Sequence, residues 1–179
     1  LSRAVNDGLV DGTEVFVAEM GTYGPGEIRE LCRLFPPDIA VITTIGEAHL
    51  ERMKTHATIL AAKSEITERA GTVVLPIDTT ELAGLAERCR ADGKRVITCS
   101  TGGATADVQV DLDAGQVTLV AADGTTATLA VGAGVAHAVN LGVALGVALA
   151  VGVDPASLAA RLDALPRAAH RAEVQDPGT

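Results

Sequence analysis

The chain has no basic run: its 179 residues carry 14 Lys and Arg against 23 Asp and Glu, a formal charge of −9. Nucleic acids and anionic membranes reward clustered cations, so neither is expected as the main partner, although small anions can still bind locally. Cysteine is scarce. Cys32, Cys89 and Cys99 form no CxxC pair and leave an odd number, which suits reduced structural thiols in a cytoplasmic protein rather than a disulfide framework. The start lacks a basic, apolar leader, so nothing directs the chain out of the cell. A first residue other than Met points to a fragment. Internal repeats are absent as well. The one stretch resembling a membrane span, "GVAHAVNLGVALGVALAVGV" at 134–153, is Gly-rich, contains His137 and Asn140, and lacks Lys or Arg anchors at its start. It reads as a helix buried between a sheet and another layer, with no membrane insertion.

At 47% hydrophobic residues, the chain is long enough for one domain with a sizeable core. "EVFVAEMG" (14–21) and "DIAVITTIG" (38–46) are apolar runs that read as buried strands. Between them, "PGEIRELCRLF" places Ile28, Leu31 and Leu34 at helical spacing before Pro36 and Pro37 stop it, a strand, helix, strand unit. The pattern continues with a helix from about Ala57 to Arg69, the strand "TVVLPI", the helix "TELAGLAERCRA" and the strand "KRVITCS". These elements predict an α/β fold, a doubly wound, mostly parallel sheet with helices on both faces. From 107 to 131, alternating residues with turn pairs at Ala114-Gly115 and Asp123-Gly124 predict a small antiparallel meander. The apolar helix and a last helix, "DPASLAARLDAL", capped by Asp154 with Pro155 in its first turn, close the domain. The expected division is a parallel part over about 1–100, an antiparallel part over about 105–131 and closing helices over about 134–165.

In open parallel sheets, ligands gather beyond the carboxyl ends of the strands. Glu19 is expected at the end of the first strand and His49 just beyond the second. Lys63 falls on the apolar face of the next helix with Ile59, Ala62, Ile66 and Ala70. A lysine there either snorkels outward, pairs with a carboxylate such as Glu65 or Glu68, or is chemically altered, because burying an unpaired ammonium is costly. Alone, Glu19 reads equally as a solvated rim residue and His49 as a helix cap. Together, a carboxylate, an imidazole and an amine at one sheet edge favour a site.

The segments "VAEMGTYGPGEI" (17–28), "VITTIGEAHLERM" (41–53), "AAKSEI" (61–66), "HAVN" (137–140) and "HRAEV" (170–174) jointly resemble the central ATPase domain of the Mur ligases, ATP-dependent amide-forming enzymes of peptidoglycan synthesis. "EMGTYGPGEI" is most similar to the branch that joins D-alanyl-D-alanine to a UDP-linked muramoyl tripeptide. The resemblance implies an acyl-phosphate route: ATP phosphorylates a peptide carboxylate, and an amine then displaces phosphate. It implies that Lys63 is carbamylated by CO2, becoming an oxygen donor that a hard Mg2+ accepts. It further implies magnesium ligands at Glu19 and His49, with the Lys63 carbamate helping to position the second ion. Asn140 matches an adenine-contacting asparagine, and Arg171 an arginine near the nucleotide phosphates. On their own, Asn140 could serve a nearby backbone group and Arg171 the surface.

Departures from the family pattern bound these expectations. No GxxGK[ST] stretch is present, and "GTYGPGE" lacks a lysine for the phosphates. Leu1 is therefore expected to begin after the P-loop, leaving a fragment inactive by itself. The family's N-terminal UDP-binding and C-terminal amino-substrate domains are also missing. Thr44 and Pro76 replace residues that are commonly Asn in relatives, and "GVAHAVN" loosens the family's Gly, His, Asn pattern, so His137 receives no role. The alternatives are a binding or scaffold domain of the same fold and a sister ligase such as folylpolyglutamate or cyanophycin synthetase.

Overall fold

The computed structural model describes residues 5, 6, 8–46, 53–131 and 137–162. Its β-branched runs form β1 (Ile39–Val41), β2 (Thr72–Pro76) and β3 (Arg95–Ser100), which pair in parallel, Ile39 opposite Thr72 and Thr72 opposite Arg95. β4 (Val108–Asp111) adds a short parallel pairing at Cys99 and Val108, and β5 (Gln116–Val120) and β6 (Thr126–Ala130) continue antiparallel. Among the described residues the six strands lie in chain order. Gly115 and Gly124, at φ 63° and 83°, turn the two hairpins as the sequence predicts. Left-handed backbone costs glycine nothing.

Parallel neighbours need crossovers, and between β1, β2 and β3 helices supply them. α1 (Glu27–Leu34) precedes β1, α2 (His56–Ser64) leads to β2, and α3 (Thr80–Ala91) joins β2 to β3. The Thr55 and Thr79 hydroxyls cap α2 and α3 by accepting from the Thr58 and Leu82 amides. Two successive crossovers of the same hand, advancing in the same direction, put their helices on one face. Val73 and Leu75 therefore meet Leu82, Leu85 and Ala86 of α3, with Leu60 and Ile66 beside them. The alternate residue, Val74, points to the opposite face and packs with Ile97, Cys99 and helix α4 (Ala138–Ala150). The two-residue side-chain period of a strand thus builds both cores at once. Helix α5 (Pro155–Leu162), with the Asp154 carboxylate accepting from the Ala156 amide, adds Leu158 and Leu162 to the α4 side.

α4 lies flat on the sheet through two glycines. Gly142 sits over Cys99 and Val110, and Gly146 over Val74, Cys99 and Ile97. Farther along, Arg95 at the start of β3 reaches the Leu149 and Ala150 carbonyls. α4 therefore runs antiparallel to β3, with its N-terminus at the carboxyl edge of the parallel strands. All three cysteines are free and buried, as expected of structural thiols. Burial pushes the Cys99 thiol up to about 12, and its S–H donates to the Gly142 carbonyl at 3.2 Å. No described helix is long and apolar enough to cross a membrane.

Three expectations are corrected. Residues 14–21 form no strand, and Val15, Phe16 and Val17 are exposed, Val17 by 83%. A strand persists only in a ladder, and the three residues of β1 offer too short an edge to recruit it. Glu19 is consequently not at a strand end. The expected helix over 57–69 stops at Ser64 and tightens into a 3-10 turn, Glu65–Thr67, where the Ser64 carbonyl accepts from the Thr67 hydroxyl.

Candidate functional site

The carboxyl edge of β1, β2 and β3 carries three features built from nearby chain. Beyond β1, the Thr44 carbonyl accepts a 2.7 Å hydrogen bond from Lys63 Nζ. Lys63 is half-buried at the end of α2 above Ile59 and Ala62, both fully buried. Burial lowers the amine's pKa below the ordinary lysine value, enlarging its neutral, nucleophilic fraction at a given pH. The ion pair considered with Glu65 or Glu68 does not form, because Arg29 takes both carboxylates, at 3.3 and 2.6 Å. Lys63 thus keeps its amine directed at the end of β1.

Beyond β2, Asp78 gathers the loop that follows β3. Its carboxylate accepts from the Ser100 hydroxyl at 2.6 Å, from the Thr101 amide and hydroxyl at 2.8 and 2.9 Å, and from the Gly102 amide at 3.2 Å. Burial by itself would raise this carboxyl, but those donors outweigh it and hold its pKa below the usual range. A carboxyl depressed in the folded state contributes stability above its unfolded pKa and loses it as pH falls through the folded value. Asp78→Ala is therefore expected to cost about 1–2 kcal/mol near neutral pH. The penalty should vanish in acid, a difference read from denaturant midpoints at two pH values.

The third feature is the start of α4. Asn140 lies in its first turn, after His137 at the N-cap, whose side chain makes no capping bond. Asn140 is exposed, and no hydrogen bond joins its side chain to another described residue. Among the described residues nothing takes up its donor or acceptor, and both lie beside the positive end of the helix dipole.

The remaining site candidates divide. Glu19 is exposed in the loop before α1 and makes no hydrogen bond or ion pair with another described residue. His49 and Arg171 lie outside the described residues. Among the described residues no three His, Cys, Asp or Glu side chains converge as a metal site. The structure therefore places Lys63 and Asn140 on one edge of the sheet, and joins Glu19 to neither by a hydrogen bond or ion pair.

What sequence reasoning missed is Glu65. It is 4% exposed, and its two carboxylate oxygens accept from the Gly26 amide at 2.7 Å and the Arg29 amide at 3.0 Å, capping α1 from 39 and 36 residues away. Its signal was a carboxylate in "AAKSEI" flanking the stripe of buried Ala62 and half-buried Ile66.

Residues 1–148 match the model of the Mur ligase middle domain. The chain belongs to the Mur ligase family. A Bacillus subtilis UDP-N-acetylmuramoyl-tripeptide--D-alanyl-D-alanine ligase is 47% identical over 58 residues, 32% of this chain and 13% of that protein. The crystal structure of MurF from Acinetobacter baumannii superposes with a TM-score of 0.68 at 24% identity, over 88% of this chain and 36% of that one, a likeness of fold. The MurF ligase from Thermotoga maritima in complex with ADP matches with a TM-score of 0.57 at 26% identity, covering 75% and 33%. The chain thus spans a minor part of the Mur ligases it matches.

Proposed function

We propose that this chain is the ATP-handling middle segment of a cytoplasmic Mur ligase that adds D-alanyl-D-alanine to a UDP-linked muramoyl tripeptide. The observation that carries the reading is Lys63, a half-buried amine with a lowered pKa, aimed at the carboxyl edge of a parallel sheet. The relatives named above supply the substrates, since a fold alone does not define them.

The residues fit this chemistry in part. Glu19 offers an exposed carboxylate that no described residue engages, suited to a hard ion. Lys63 as an ammonium offers none, and becomes a donor only as a carbamate. Its neutral nitrogen would attack the carbon of CO2, an N–C bond would form as one C=O π bond opens, and the nitrogen would release a proton. Magnesium, when bound, supplies charge neutralisation between the nucleotide phosphates and the substrate carboxylate. Glu19 would hold one ion and His49 a second, which the Lys63 carbamate would help position, and Asn140 would read the adenine edge from the start of α4. Arg171 is assigned to the phosphates. The Thr44 carbonyl fixes the Lys63 side chain before carbamylation and so orients the reacting nitrogen.

The test is phosphate release by the full-length protein, with ATP, magnesium, the muramoyl tripeptide and D-alanyl-D-alanine supplied or withheld singly. Release that requires all four supports the reading, and release indifferent to both peptide substrates refutes it. Glu19→Gln is expected to raise the magnesium concentration for half-maximal turnover by about tenfold or more. An unchanged magnesium titration would remove Glu19 from the ligand set.

A further inference from the structure

Lys63 and Glu65 stand two residues apart and face different loops. Lys63 Nζ reaches back to Thr44 beyond β1, whereas the Glu65 carboxylate turns to the N-terminus of α1. Gly26, at φ 95°, folds the chain into that helix without a side-chain cap of its own. Glu65 does the capping in its place. The same loop is closed locally by Glu27, whose carboxylate accepts from the Tyr23 amide at 2.7 Å and the Thr22 hydroxyl at 3.1 Å. Glu27 thereby shapes the turn over 22–27. The Glu65 contacts, with the Arg29 guanidinium spanning Glu65 and Glu68, connect that turn to the lysine segment by hydrogen bonds and ion pairs.

We propose that Glu65 is a positioning residue that sets the 19–26 loop, and with it Glu19, at a fixed place relative to Lys63. The proposal rests on the ligase reading above, in which Glu19 and Lys63 serve one site. A nearly buried carboxylate receiving two backbone N–H groups and a guanidinium is held by charge-assisted bonds, stronger than neutral ones. Its oxygens are matched to donors alone. An amide in its place would turn an N–H2 toward a backbone N–H, so size can be kept while the clasp is broken.

The experiment uses the full-length protein with Glu65→Gln, and with Glu65→Asp as the milder change should the first variant not fold. Two quantities are read: hydrogen exchange at the Gly26 and Arg29 amides, and the magnesium concentration for half-maximal turnover. Glu65→Gln is expected to speed exchange at both amides about tenfold or more. It should also raise the magnesium requirement by about tenfold, with turnover at saturating magnesium falling less. Glu65→Asp should shift both in the same direction by less. If either folded variant speeds exchange or lowers Tm while the magnesium titration is unmoved, Glu65 is structural only and the proposal is overturned. Lys63→Ala, run in parallel, separates the two failures. Full activity in that variant removes Lys63 from the site and with it the shared site the proposal assumes, whereas its loss beside unmoved Glu65 variants overturns the positioning role alone; phosphate release indifferent to the peptide substrates is what overturns the ligase reading.

Discussion

Alanine at Lys63 is expected to lower ligation by the full-length protein about 10²–10³-fold, with partial recovery when short carboxylic acids are added. The argument starts from solvation. A half-buried amine above Ile59 and Ala62 loses part of its hydration, and the charged form suffers most. The neutral amine is the form that accepts CO2, so carbamate occupancy should rise with pH and with added bicarbonate. Turnover of the unaltered protein should therefore respond to bicarbonate most strongly on the acid side of its range. Lys63→Arg is the sharper control, because a guanidinium can keep a hydrogen bond to the Thr44 carbonyl yet stays protonated. It should be as impaired as alanine. If Lys63→Arg or Lys63→Ala turns over normally, the lysine serves packing and the carbamate has no part.

Local rules predicted elements well wherever their partners were close in sequence. α3 spans Thr80–Ala91, the twelve residues read as a helix, because the Thr79 cap and the apolar spacing of Leu82, Leu85 and Ala86 agree. The meander was equally plain, each of its turns resting on a glycine that takes positive φ. The family motifs marked Lys63 and Asn140, and α4 packing explains why Asn140 reaches the same edge. Errors came where a distant partner decides. "EVFVAEMG" has the composition of a strand, but composition cannot supply a neighbouring edge. Glu65 and Glu68 adjoin Lys63 in the sequence and so look like its partners, whereas Arg29, from α1, takes both. The role of Glu65 was hidden for the same reason: its two amide donors belong to residues 26 and 29.

The glycines of α4 show how packing at a distance can reverse a local preference, and they give the largest expected effect on stability. Glycine inside a helix costs roughly 1 kcal/mol relative to alanine, so propensity alone predicts that Gly146→Ala stabilises. A Cβ at Gly146 would lie 2.7 Å from Val74 Cγ1 and 3.1 Å from Cys99 Sγ. Val74 is fully buried on β2, between β1 and β3, and its branched side chain has one comfortable rotamer at best. It cannot step aside, so α4 must lift. Overpacking of this kind costs about 1–3 kcal/mol, and Gly146→Ala should emerge about 1–2 kcal/mol less stable once the propensity gain is subtracted. Gly146→Leu should exceed about 4 kcal/mol or prevent folding. Gly142→Ala is the internal comparison. Its Cβ would meet Val110 Cγ2 at 3.3 Å and Cys99 Cβ at 3.4 Å, a crowding that shifts of a few tenths of an ångström relieve, so gain and loss should nearly cancel. Denaturant midpoints of the three variants decide the matter, and a Gly146→Ala protein more stable than the original would refute the close-approach account. Because Asn140 rides on the first turn of the same helix, lifting α4 at Gly146 should also weaken nucleotide binding. Gly142→Ala, lifting nothing, should leave the affinity as it was.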